Sequence, residues 1–171
     1  LLCLLLATYT GMPRVYLKTY GCQMNVYDSE RMIRLLTPLN YELTEEIEDA
    51  DLILFNTCTV REKAKHKFLS DLGFLKPLKQ KKEDLIIGMG GCVAQEEGEK
   101  LLRRIPHLDL VFGVDQIDEL PGLLDTIKKN KERVSLTKFD TDPKFSLSYL
   151  HADKSPVSAF VTIIKGCDKF C

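Results

Sequence analysis

Apolar and polar positions change period repeatedly along this chain, and the changes mark out its elements. "RVYLKTY", Arg14 to Tyr20, is β-branched and aromatic and predicts a strand. In "YDSERMIRLLTPL" the period lengthens: Met32, Leu35 and Leu36 share one helical face, Asp28 or Ser29 supplies a cap, and Pro38 marks the end. "DADLILFNT" is a continuous apolar run between polar residues, the pattern of a strand buried on both faces. "VREKAKHKFLSDLGFL" is helical, "EDLIIGMGG" is a second buried strand, and "AQEEGEKLLRRI" is helical again. "HLDLVFG" and "QIDELPGLLDTIKKN" complete the series as a strand and a helix.

Strand followed by helix, several times over, predicts βαβ units and hence an open, mostly parallel α/β sheet with helices on both faces. Four or five strands are expected, in a domain over residues 12–130. Residues 131–156 are polar, hold two prolines and predict a linker, with a strand possible at "RVSLTKF". "VSAFVTIIKG" then predicts a fresh strand, so residues 157–171 are expected to begin a second, truncated domain. Residues 1–11, "LLCLLLATYTG", are too short to span a bilayer and lack the basic start of a signal peptide. They are expected to be a non-native or unstructured extension, and Cys3 within them is given no role. "LKQKKED" is expected to be a solvated basic run in a connection.

Composition adds limits. The chain has 171 residues, 44% of them hydrophobic and 29% charged, with a net charge of −1, so a packed core is expected and no global basic field advertises nucleic-acid binding. Cysteine is the informative residue. Six are spread through a Lys- and Glu-rich chain, unlike the dense cysteines of a short secreted disulfide scaffold. A cytoplasmic protein is expected, with thiols in packing, catalysis or metal ligation.

Three of these thiols occupy one topological position. Cys22, Cys58 and Cys92 each follow a predicted strand, where the chain hands over to a helix. In a parallel sheet such points lie along the carboxyl edge, where ligands bind. A single buried cysteine is usually packing, but three at equivalent points favour ligation. Gly21, Gly90 and Gly91 beside them let backbone approach a bulky group, and helix N-termini favour anions. "GMGG" does not complete a dinucleotide fingerprint, because Val93 stands where the third glycine belongs. Structural zinc wants four ligands, and His66, His107 and His151 are scattered. A [4Fe–4S] cluster held by three thiolates would leave one iron open. Further on, "GCDKFC" places Cys167 and Cys171 in a C-x3-C spacing after a strand and a glycine.

"KTYGCQMNVYDSE", "NTCTVREKAKHK", "IIGMGGCVAQEEG" and "GCDKFC" together resemble the methylthiotransferase family of radical S-adenosylmethionine (SAM) enzymes. "YGCQMN" and "NTCTVREKA" are most similar to the branch that modifies isopentenyl-adenosine beside the tRNA anticodon. The resemblance implies a Rossmann- or flavodoxin-like N-terminal domain, followed by the first strand of a truncated TIM-like barrel. It implies an auxiliary [4Fe–4S] cluster on Cys22, Cys58 and Cys92. It also implies a radical SAM [4Fe–4S] cluster on Cys167 and Cys171, whose third ligand would fall past Cys171. The implied activity is addition of a methylthio group to C2 of the adenine, with SAM as cofactor and the auxiliary cluster supplying or carrying sulfur.

No catalytic side chain is assigned. The implied partners are tRNA, contacted mainly through parts beyond this sequence, and a sulfur donor; a monomer without a membrane attachment is expected. The resemblance leads to the expectation that this chain is inactive by itself, for want of most of the barrel. Branches acting on threonylcarbamoyl-adenosine or on a ribosomal-protein aspartate, and a non-catalytic cluster-binding scaffold, are the alternatives.

Overall fold

The computed structural model describes residues 11–59 and 62–138, with the side chains of residues 62–64 left out. Its strands are β1 (Arg14–Tyr20), β2 (Glu42–Leu43), β3 (Leu52–Thr57), β4 (Ile86–Gly91), β5 (Leu110–Phe112) and β6 (Val134–Leu136). Its α-helices are α1 (Gln23–Leu36), α2 (Glu62–Phe74), α3 (Lys76–Lys81), α4 (Cys92–Arg104) and α5 (Leu120–Asn130). All six strands form one parallel sheet in the order β2-β1-β3-β4-β5-β6.

Burial explains the continuous apolar runs. Every residue of β3 and β4 is buried. Successive side chains on a strand point to opposite faces, so each run feeds two cores. Ile53, Phe55, Ile87, Met89 and Val111 face one core with Phe68 and Leu72 of α2 and Leu101 of α4. Leu52, Leu54, Ile86, Leu110 and Phe112 face the other with Met32 and Leu36 of α1 and Leu124 and Ile127 of α5. The predicted fold class, helices on both faces of a parallel sheet, is therefore observed.

Four details differ from expectation. The sheet has six strands rather than four or five: β2, only two residues long, is too short to carry a pattern, while β6 falls within "RVSLTKF", as the sequence allowed, pairs with β5 and packs Val134 against the core. Helix α1 begins at Gln23, so Asp28 and Ser29 lie inside it; Cys22 is the N-cap, and Asn25 Oδ1 accepts the Cys22 N–H at 3.1 Å. The basic run "LKQKKED" is largely helix α3 rather than a connection. Helix α4 is kinked at Gly98, where φ is 37° and an added Cβ would lie 2.8 Å from Thr137 Oγ1. The chain leaving β6 is gripped there as well: Gln95 Nε2 donates to the Thr137 carbonyl at 2.6 Å, and Gln116 Nε2 donates to that of Lys138.

Strand order fixes where a ligand crevice forms. From β1 the chain passes through α1 to β2 on one side; from β3 it passes through α2 to β4 on the other. Because α1 and α2 cover opposite faces, the order reverses between β1 and β3, and the crevice opens at their carboxyl ends.

Candidate metal centre

Cys22 and Cys58 stand at that switch point, and Cys92 follows the next strand. Tyr20, Thr57 and Gly91 are in register across β1, β3 and β4, so the three thiols leave the sheet from neighbouring strand ends. Adjacent strands lie about 4.8 Å apart. Cys58 continues the ladder by donating its N–H to the Tyr20 carbonyl at 2.8 Å. Cys22 is exposed, Cys58 is buried and Cys92 is half-buried; none is in a disulfide.

The thiols lie close enough to act on one another. Burial pushes the Cys92 thiol above its ordinary range, and charge on Cys58, Asp28 and Cys22 pushes it further, against a hydrogen bond from Thr59. A Cβ added to Gly21 would stand 2.8 Å from Cys58 Cβ. Among the described residues, however, no three His, Cys, Asp or Glu side chains are gathered tightly enough to hold a single metal ion. Three soft sulfur donors on neighbouring strand ends suit a polynuclear iron–sulfur group, whose ligand sulfurs stand roughly 6–7 Å apart.

The glycines have a second purpose beside the one read from sequence. A Cβ on Gly21 would collide with Asn25 Oδ1, and one on Gly91 would lie 2.5 Å from both Asn56 Oδ1 and the Thr57 carbonyl oxygen. Gly91 has φ 96°, a conformation that side-chain-bearing residues rarely adopt. The space beneath the thiols is thus occupied by amides. Asn25 Nδ2 donates to Asn56 Oδ1 at 3.0 Å; Asn56 Nδ2 donates to the Asn25 carbonyl at 2.7 Å and to Ser29 Oγ at 3.0 Å. Ser29 Oγ in turn meets Thr19 Oγ1 at 2.7 Å. Asn56 was missed in the sequence, and Ser29 was read there only as a helix cap. The signal was there: Asn56 interrupts the apolar run "LILFNT", and a polar residue at full burial needs partners.

Elsewhere, His66 is exposed and half-buried His107 bonds the Leu72 carbonyl at 2.8 Å, so neither joins the thiols. Cys3, His151, Cys167 and Cys171 lie outside the described residues, as does Arg61 of the segment after Cys58. Among the described residues no helix is long and apolar enough to cross a membrane.

Residues 14–113 match the model of the uncharacterized protein family UPF0004. The chain belongs to this family. Relatives of this UPF0004 chain include the tRNA-2-methylthio-N(6)-dimethylallyladenosine synthase of Cereibacter sphaeroides, 52% identical over 92% of this chain. Proteins of the same name from Maricaulis maris and Nitrosomonas eutropha are 46% identical over 95% and 48% identical over 92%. In each case the chain spans 36% of the relative's length. The resemblance read from the cysteine motifs, to the methylthiotransferases, is borne out by these relatives.

Proposed function

We propose that this chain is the N-terminal part of a radical SAM tRNA methylthiotransferase acting on isopentenyl-adenosine, and that Cys22, Cys58 and Cys92 hold its auxiliary [4Fe–4S] cluster. What supports the reading is the position of three cysteines directly after the neighbouring strand ends of β1, β3 and β4, in a chain whose relatives are named for this modification. When bound, such a cluster would supply an open iron for sulfur chemistry. The chain's own contribution is placement. The ends of β1, β3 and β4 present the sulfurs, Gly21 and Gly91 keep the backbone clear, and burial of Cys58 shields one side from water. Cys167 and Cys171 would contribute to a second, SAM-binding cluster. The tRNA, the sulfur donor, a cytoplasmic location and a monomeric state belong to the same proposal.

Anaerobic reconstitution of the chain with iron and sulfide tests it. About one [4Fe–4S] cluster per chain is expected, because one site has three thiols and the other only two. Cys92→Ala should abolish most of the iron, and Cys167→Ala should leave it nearly intact. The reverse pattern, or no loading by the unaltered chain, would overturn the assignment.

A further inference from the structure

Asn56 touches the supports of all three thiols. Through its Oδ1 it accepts from Asn25 Nδ2 at 3.0 Å, and Asn25 Oδ1 holds the Cys22 N–H at 3.1 Å and approaches Cys22 Sγ at 3.4 Å. Along its own strand it is separated from Cys58 only by Thr57. Toward β4, its Oδ1 fills the space that a side chain on Gly91 would need, directly before Cys92.

The orientation of the amides is dictated at both ends. The Asn25 carbonyl can only accept, so the Asn56 group facing it is the NH2. The Cys22 N–H can only donate, so the Asn25 group facing it is the oxygen. Both constraints agree with Asn25 Nδ2 donating to Asn56 Oδ1, and neither amide can be turned over without breaking a bond at each end. Both side chains are almost wholly buried, Asn25 2% and Asn56 0% exposed, and every polar atom of the pair has a partner. A strand serving only the core would carry an aliphatic residue at position 56, since a buried amide contributes little net stability even when satisfied.

We infer that Asn56, acting through Asn25, is a positioning residue that sets the spacing of the Cys22, Cys58 and Cys92 sulfurs. The inference rests on the proposed cluster site for its purpose but not for its test. It predicts that loosening the amide pair changes thiol spacing while the sheet stays folded.

The experiment uses the full chain with Cys3, Cys167 and Cys171 replaced by serine, so that every cross-link arises from the three remaining thiols. Bis-maleimides of graded length are applied to the metal-free protein, and the linked pairs are read by mass spectrometry. Asn56→Asp, isosteric but without the NH2, should shift Cys22–Cys58 bridging toward longer reagents, with circular dichroism unchanged. Ser29→Ala, which removes one partner of Asn56 Nδ2, should give a smaller shift in the same direction. After reconstitution, Asn56→Asp should release iron to a chelator about tenfold faster and alter the electron-paramagnetic-resonance signature of the reduced cluster. A folded Asn56→Asp with the original length profile would overturn the inference, whatever its iron content. Should Asn56→Asp fail to fold, Asn25→Ala decides by the same profile. If the unaltered chain takes up no iron, the cluster proposal falls, yet the cross-linking profile still judges the spacing role.

Discussion

The two edges of the sheet are built from different chemistry. At the amino edge, charges tie down strand beginnings. Asp51 Oδ2 accepts the Arg14 N–H at 2.8 Å, and Asp49 pairs with the Arg14 guanidinium at 2.7 Å. Asp109 accepts the Ile87 N–H at 2.9 Å and pairs with Lys79 at 2.8 Å. Arg133 donates to the carbonyls of Leu102, Ile105 and Leu108. At the carboxyl edge, around the thiols, the bonds run between neutral amides, hydroxyls and backbone, and two glycines make room for them. A charge beside a strand start stabilises wherever its geometry is adequate, and some looseness is tolerated. A neutral buried amide bonds well only at one spacing and one orientation, so it fixes positions. The amino edge is tied by charges; the carboxyl edge around the thiols is tied by neutral bonds of fixed geometry.

Gly91→Ala should break the carboxyl edge most severely. An alanine at φ 96° costs roughly 1–3 kcal/mol in backbone strain. Its methyl would also press on Asn56 Oδ1 and the Thr57 carbonyl oxygen, both 2.5 Å away. A total loss of about 3 kcal/mol or more is expected from urea unfolding of the metal-free chain. A loss below about 1 kcal/mol would mean that the β3–β4 carboxyl end gives way easily, and the contrast between the edges would fail.

At the amino edge, Asp109→Ala should cost less, about 2 kcal/mol, by leaving the Ile87 N–H without its acceptor and Lys79 without its ion pair. Its decisive readout lies at the other edge: the cross-linking profile of Cys22, Cys58 and Cys92 should not move. A profile shifted as in Asn56→Asp would show that the two edges are not separable.

This division explains what could be read from sequence. Strands β1, β3, β4 and β5 and their helices were legible because each must fill one or both cores, which leaves an apolar pattern. The three thiols were legible because parallel topology converts "after each strand" into "along one edge". The start of α1 was misplaced because its cap is a cysteine working with Asn25, where a Ser or Asp was expected. β2 was hard to see because two residues carry no pattern, whereas β6 left its mark in "RVSLTKF" and packs Val134 against the core. The Asn25–Asn56 pair depends on a contact between residues far apart in sequence, and only the solitary Asn in "LILFNT" hinted at it.

Acid pH should have a smaller effect, one that distinguishes a partly buried carboxylate from an exposed one. Asp71, near the C-terminal end of α2, bonds Lys18 of β1 at 2.7 Å and accepts from the hydroxyl of Tyr20. Burial alone would raise the Asp71 carboxyl. The hydrogen bonds from Lys18 and Tyr20, with the charges of Lys18 and Lys67, outweigh it and hold the carboxyl below the ordinary range. Asp84, at the amino edge, is also held low, by its bond to Lys131 at 2.6 Å, but it is fully exposed. A carboxyl whose pKa is depressed by folding binds its proton more weakly in the folded chain. It stabilises the fold above the unfolded value, near pH 4, and this contribution is lost as pH falls through the folded value. Stability of the metal-free chain should therefore decline below about pH 4. Asp71→Asn should flatten that decline, because its carboxyl is partly buried and doubly bonded. Asp84→Asn should leave it unchanged at ordinary salt, because solvent and ions screen an exposed pair. Urea midpoints measured between neutral and strongly acid pH distinguish the two. A flattened acid limb in Asp84→Asn but not in Asp71→Asn would show that the exposed pair, not the partly buried one, carries the acid sensitivity, and would overturn this assignment.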